Sequence, residues 1–257
     1  MRIAVCLSGQ LRTAKYALPS QVEFFKDFEV DYFCHTWSEG NDYKIREGDS
    51  IFWKNFSITL EDIDEAFNIV KPKKIKIGNY SDLPCTFPWD KPFYSLMVAN
   101  YLKQKYEIEN NFKYDLVIKS RYDIAFQPGM NFANYITKIH DHTTSSEHLE
   151  IYVNHISRMS MEFNKINASD VLFYGSSSAM DIFCDIYKYL SKDRINMSIY
   201  DYESLGPGCL MSEFAAKHNI RLSSFYFFET IYRKEAIPMD PLTNFAEIRN
   251  VAQNIYL

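Results

Sequence analysis

The chain has 257 residues, 47% of them hydrophobic and 24% charged, which suits one large globular domain or at most two small ones. Eight Gly and nine Pro exclude collagen-like and low-complexity classes, and enough apolar surface is present to exclude wholesale disorder. A net charge of −5 argues against a general binder of the phosphate backbone, so no nucleic-acid polymer is expected as partner.

Ile3–Leu7 is an apolar run ending at Ser8-Gly9, the pattern of a fully buried parallel strand. Pro19-Ser20 is expected to open a helix over Val22–Phe28, with Val22 and Phe25 inward. Val30–His35 predicts a second strand. Thr59 caps a helix with Asp62 in its first turn and Ile63, Phe67 and Val70 inward. Lys73–Ile77 alternates Lys and Ile, as an edge strand does. Phe93–Tyr106 predicts a helix with Phe93, Leu96, Met97 and Tyr101 on one face. Tyr114–Lys119 is another buried strand, followed at once by Arg121-Tyr122-Asp123. This alternation implies right-handed crossovers and a single, mainly parallel sheet with helices on both faces.

Beyond Asp123 the pattern becomes irregular. Leu149–Val153 and Val171–Tyr174 are strand-like; Ala179–Leu190 predicts one helix with Phe183, Ile186, Tyr187 and Leu190 inward. Leu210–His218 predicts a shorter helix, and Leu222–Phe228 a final aromatic strand. No repeat and no interdomain linker is evident, so one α/β domain spans 1–257.

The apolar stretch at the N-terminus is too short for a signal peptide, and no run of 18 apolar residues occurs. No transmembrane segment is expected, and a cytoplasmic location is the expectation. Cys6, Cys34, Cys85, Cys184 and Cys209 are odd in number, contain no CxxC spacing, and point to reduced thiols.

No GxGxxG follows the first strand and no GxxxxGK[ST] occurs, so the usual dinucleotide and P-loop cradles are absent. Ser8-Gly9-Gln10-Leu11-Arg12-Thr13 fills the first β-to-α loop instead, at the strand ends where open α/β sheets bind ligands. Gly9 permits a tight turn and Arg12 could hold a phosphate; the plain alternative is a loop glycine and a solvated arginine. Asp31 to Trp37 is expected to end the second strand at the same rim, with Trp37 offering a stacking face and His35 structural. Arg121 and Asp123 are expected to leave a strand end together. A carboxylate there can hold Mg²⁺ or Mn²⁺ against a diphosphate while Lys119 or Arg121 neutralises charge; the alternative is a structural Arg–Asp pair. Asp170, before a strand, and Glu213, on the helix after Gly206-Pro207-Gly208, are candidate general bases, although Glu213 reads first as an exposed helical acid. His140, Asp141, His142, Glu147 and His148 lack ligand spacing and read as a solvated loop.

Taken in order, Arg2–Arg12, Asp31 with His35-Thr36-Trp37, Tyr114–Asp123, and Ser169-Asp170 with Phe173-Tyr174-Gly175 resemble the GT-A-like glycosyltransferases of bacterial polysaccharide loci, phages and large viruses. The resemblance covers about 1–37 and 90–220. It implies a GT-A-like fold, with about 1–123 as the nucleotide-sugar-binding half and about 124–257 as an irregular acceptor-side half. It also implies a nucleotide-sugar donor and a glycan or lipid-linked saccharide acceptor. Ser8, Gly9, Arg12, Asp31, Trp37, Lys119 and Arg121 would then contact the donor, and Asp123 would stand for the second Asp of the family's metal-binding Asp-x-Asp. Here Arg121 replaces the first Asp, and Gly208 follows Pro207 where relatives tend to have Glu. The lost first Asp keeps a nucleotide-binding module without turnover in play, and a related α/β layout that also handles nucleotides keeps a sugar nucleotidyltransferase as a third reading.

Overall fold

A computed structural model describes residues 1–11, 13–38, 40–47, 50–56, 58–79, 82–83, 89–126, 149–154, 156–158, 166–193, 206–224 and 229–231. Its centre is a seven-stranded sheet built from β1 (Arg2–Ser8), β2 (Glu29–Trp37), β5 (Lys74–Gly78), β6 (Leu116–Ser120), β8 (Glu150–Val153), β11 (Phe173–Gly175) and β12 (Arg221–Ser224). The spatial order is β12-β8-β11-β6-β1-β2-β5. Strands β5, β2, β1 and β6 run parallel, β11 is antiparallel to both β6 and β8, and β12 is parallel to β8. The sheet is therefore mainly parallel and draws strands from both halves of the chain.

Strand β1 shows why the sequence lacks a two-residue hydrophobic alternation. Ile3, Val5 and Leu7 pack on one face while Ala4 and Cys6 pack on the other, and all five are 0% exposed. Helices α1 (Ala14–Phe24) and α2 (Leu60–Val70) cover the bulkier face. Helix α3 (Asp90–Asn110) lies over the side lined by the small residues, together with α4 (Ser177–Phe183), α5 (Ile186–Asp193) and α6 (Pro207–Lys217). A strand buried on both faces has no solvent side to mark with polar residues.

The α2 prediction is met in detail. The Thr59 hydroxyl accepts from the Asp62 amide, the Asp62 carboxylate accepts from the Thr59 amide, and Lys71 closes the helix at φ 47°.

Several boundaries differ from the sequence expectation. Helix α1 starts at Ala14, five residues before Pro19, which lies inside it. Proline withdraws the amide that would bond the Lys15 carbonyl, a local cost; burial of Ala14, Ala17, Leu18 and Gln21 along one stripe outweighs it. Helix α3 is longer at both ends than predicted, and Tyr101 is 60% exposed. Its buried stripe continues through Lys103 and Glu107, residues that hydrophobic periodicity does not count as inward. The predicted single helix over 179–190 is divided: Cys184 caps α4, and the Asp185 carbonyl takes the Lys188 and Tyr189 amides that start α5. Strand β11 falls at 173–175, later than expected.

Periodicity also missed the antiparallel hairpin of β3 (Gly40–Glu47) and β4 (Ser50–Phe56). It missed the short pairs of β7 (Ile124–Phe126) with β13 (Glu229–Ile231), and of β9 (Ile156–Arg158) with β10 (Ile166–Ala168). The aromatic run 225–228 and the acidic, histidine-containing loop 140–148 lie outside the described residues. Among the described residues no helix is long and apolar enough to cross a membrane.

Candidate functional site

Parallel strands β1, β2, β5 and β6 deliver their last residues to one rim, and the sequence-predicted side chains distribute unequally about it. Ser8 is buried at the end of β1, and Gly9 takes φ 119°, a conformation that a side chain resists. The Gly9 amide donates to Ser95 Oγ at 2.8 Å and to the His35 carbonyl at 3.3 Å. Ser95, on α3, thus fixes the first loop; the sequence reading missed it because a serine within a helical pattern carries no special signal. Arg12 lies outside the described residues.

His35 is wholly buried, with Nδ1 2.7 Å from Ser95 Oγ. Among the described residues its Nε2 has no hydrogen-bond partner. Desolvation, aided by the charge of Lys76, pushes its pKa down to about 3, so the ring is neutral near pH 7. The unfolded chain takes up a proton near pH 6.5 that the folded chain refuses, so stability must fall as pH drops from 6.5 toward 3. Through this group alone the loss between pH 6.5 and 4 is about 3 kcal/mol. Urea titrations of the wild type and His35→Gln at both pH values check this. The wild type is expected to lose that much more than the variant, and equal losses would remove His35 as the cause.

Two expected site members are corrected by the geometry. Asp31 sits third in β2, beside Ala4 of β1 and six residues before Trp37, at the opposite end of the sheet. That separation is about 20 Å along a strand. Its carboxylate accepts from Tyr114 Oη at 2.7 Å and pairs with Lys73 at 3.3 Å, so it serves the amino-terminal edge. Trp37 does reach the rim but is 2% exposed. It meets His35 edge-on at 4.9 Å and Tyr94 at 5.7 Å, while Gly78 lies so close that a Cβ there would stand 3.1 Å from the indole. No ring face is left open for a base.

The charged residues gather instead at the end of β6. Arg121 and Asp123 form a bidentate pair, Nε to Oδ1 at 2.8 Å and Nη2 to Oδ2 at 2.7 Å. Asp123 is 1% exposed, whereas the Arg121 side chain keeps 22%. Burial works against the Arg121 charge, and Asp123 outweighs it, holding the guanidinium above its ordinary pKa. The turn bearing this pair is braced from α1 by fully buried Gln21. Its amide donates to the carbonyls of Arg121 (2.8 Å) and Ile124 (2.7 Å) and accepts from Ser120 Oγ (3.1 Å). Gln21 was also missed, although it lies on the i, i+3, i+4 stripe of Ala17, Leu18 and Phe25 that marks the inward side of α1.

From the other face, Lys119 donates to the carbonyls of Asp170 and, at 3.1 Å, Val171, and its ammonium sits 5.3 Å from the Phe173 ring centre. Asp170 is half-buried in the bend before β11, close enough for its charge to act on both Lys119 and Arg121. Glu213 is half-buried in the second turn of α6. The start of α6 presses on β10: a Cβ on Gly208 would fall 2.0 Å from the Ala168 carbonyl oxygen.

Among the described residues no group of three His, Cys, Asp or Glu side chains is gathered as for a metal ion. Both Asp123 oxygens already accept from Arg121. Asp123 is also 1% exposed, so the donor set as placed, one buried carboxylate already paired with Arg121, does not fit a divalent cation. The rim can offer guanidinium charge to an anion and a half-buried carboxylate to a proton.

No family model matches the sequence, and no curated protein matches it. Among solved structures, the chain is similar to one assigned as a glucose-1-phosphate thymidylyltransferase from Bacillus anthracis, in complex with sucrose. There the TM-score is 0.43 and the identity 9%, over 90% of this chain and 89% of that one. It is also similar to a nucleoside-diphosphate-sugar pyrophosphorylase from Vibrio cholerae RC9, with TM-score 0.39 and 12% identity over 87% and 92% of the two chains. At those values neither likeness assigns an activity.

Proposed function

We propose that the chain is a nucleotide-sugar-dependent glycosyltransferase of GT-A-like architecture, working at the carboxyl rim of β1 and β6 on a glycan or lipid-linked saccharide acceptor. What supports this reading is the convergence of Arg121, Asp123 and Asp170 at one strand end, beside the Gly9 turn. The sequence resemblance to that family agrees with it.

In the proposed reaction the anomeric carbon forms a bond to the acceptor oxygen and loses its bond to the donor diphosphate. Asp170, or else Glu213, takes the acceptor hydroxyl proton. Arg121, with Arg12, stabilises the charge growing on the departing nucleoside diphosphate. No step is assigned to Mg²⁺ or Mn²⁺, because Asp123 is buried against Arg121 and, among the described residues, no group of three ligands gathers around it.

Isothermal titration with UDP-, GDP- and CMP-sugars, each with and without Mn²⁺, tests the reading. Binding of at least one donor is expected, and Arg121→Met should weaken it about tenfold or more, the scale of one charge-assisted contact. Failure of every donor to bind overturns it. Donor binding without transfer to any acceptor would favour a module without turnover, for which the closed Arg121–Asp123 pair is the motivating feature. The same cations would also suit a pyrophosphate, so release of pyrophosphate from a nucleoside triphosphate and a sugar phosphate would identify a sugar nucleotidyltransferase.

A further inference from the structure

Lys119 was expected to meet the donor, yet it is only 6% exposed and its ammonium already donates to two main-chain carbonyls, those of Asp170 and Val171. These carbonyls belong to the bend that precedes β11, the reversed strand beside β6. We propose that Lys119 is a positioning residue, whose ammonium ties this bend to β6 and so sets Asp170 beside the Arg121–Asp123 pair without itself touching the donor. The proposal rests on the reading of this rim as the catalytic site.

Three features support it. The bend makes its first ladder contact only at Phe173, whose register partner on β6 is Lys119 itself. Before that point the Leu172 carbonyl accepts from the Asn154 amide at 3.3 Å, and the two carbonyls ahead of it, those of Asp170 and Val171, are held by Lys119. Among the described residues, the ammonium's other neighbours are the Phe173 ring and charged groups of the adjoining elements. These are Asp170 on the bend and Arg121 and Asp123 on the turn after β6, with the Cys184 thiol at the end of α4. A diphosphate would have to displace main-chain carbonyls to reach this nitrogen, whereas Arg121 is partly open.

Burial gives the clamp a testable pH signature. Desolvation is the largest influence on Lys119 and pushes its pKa down to about 8. Opening of the bend returns the ammonium to water, where its pKa is about 10.4. The open state therefore binds more protons between these values, and opening becomes harder as pH rises through them.

Hydrogen exchange of the Val171 amide, which donates to Ser169 Oγ, and of the Asn154 amide, which donates to the Leu172 carbonyl, is corrected for intrinsic rates and compared in the wild type and Lys119→Met at pH 7 and 9.5. The wild-type protection is expected to rise about tenfold between the two pH values, less than the limit of one full proton over the interval. The variant is expected to be at least about tenfold less protected at pH 7, the size of leaving a buried carbonyl without its donor, and flat with pH. Equal protection in both proteins at pH 7 overturns the clamp whatever the catalytic activity.

A second measurement separates clamping from donor contact. With whichever nucleotide sugar binds the wild type, Lys119→Met should keep the donor Kd within about threefold while kcat falls at least about tenfold, as expected when only Asp170 is misplaced. A donor Kd weakened tenfold with exchange unchanged would make Lys119 a donor ligand and overturn the proposal. Absence of donor binding in the wild type would overturn the rim's catalytic reading while the exchange result stood on its own. Lys119→Gln, which keeps one donor group, guards against a variant that fails to fold.

Discussion

Asp123→Asn is expected to lower sugar transfer by at least about a hundredfold, the scale of losing one electrostatic contact preorganised for the transition state. The argument runs through Arg121. The carboxylate holds the guanidinium by two parallel bonds, which fix its plane and leave the partly exposed edge to face an incoming anion. Asparagine offers one acceptor and no charge, so the fork loses its aim. Asp123 is itself buried, and the substitution also carries a stability cost of about 2 kcal/mol, below the range for a fully buried pair because Arg121 reaches water. The melting temperature should then fall by roughly 4–8 °C. Turnover must be measured well below that transition, on the folded protein. A double-mutant cycle with Arg121→Met decides whether the two residues act as one unit: the double variant should lose little more than either single one. Turnover of folded Asp123→Asn within threefold of wild type would remove Asp123 from the site.

Glu107→Ala should produce the largest loss of stability, about 3–5 kcal/mol, the range for breaking a buried ion pair by removing one partner. Glu107 Oε2 accepts from Lys103 Nζ at 3.1 Å and Lys113 Nζ at 3.0 Å. Its Oε1 accepts from the Tyr114 amide at 2.9 Å and Ser177 Oγ at 2.7 Å. Lys103 is 0% exposed and also donates to Asp181 at 2.5 Å and Ser177 at 2.7 Å, so the cluster joins α3, the entrance to β6 and the start of α4. Removing the carboxylate leaves a buried ammonium with one carboxylate fewer and an amide with no acceptor. A melting-temperature drop of about 10 °C or more is expected. Lys113→Ala is the control: its side chain is 56% exposed, and loss of its two ion pairs should cost under about 1 kcal/mol. Similar losses for both variants would show that burial does not govern this cluster.

These two residues mark what a sequence can place in a fold and what it cannot. Arg121 and Asp123 could be chosen without coordinates, because a buried apolar strand must deliver the residues after it to one rim. Ser8 and Gly9 were legible for the same reason, and the Thr59–Asp62 cap because it is local chemistry. Asp31 was misplaced because a strand's apolar run does not show which of its ends a flanking acid will occupy. Trp37 was at the expected end, but exposure there is set by Gly78 and Tyr94, which arrive from distant parts of the chain.

Lys103 and Glu107 look, in the sequence, like an ordinary solvated i, i+4 pair, and Gln21, though on the inward stripe of α1, gives no sign of which carbonyls it will bond. The mainly parallel sheet, its double covering of helices and the rim that carries Arg121 and Asp123 were determined by the sequence pattern alone, since hydrophobic periodicity and caps act within a few residues. Which charges are buried, which cation faces outward and which one clamps the backbone were decided only by the tertiary structure. Desolvation and hydrogen-bond pairing depend on groups brought together from positions as far apart as Gln21 and Ile124, or Lys119 and Asp170.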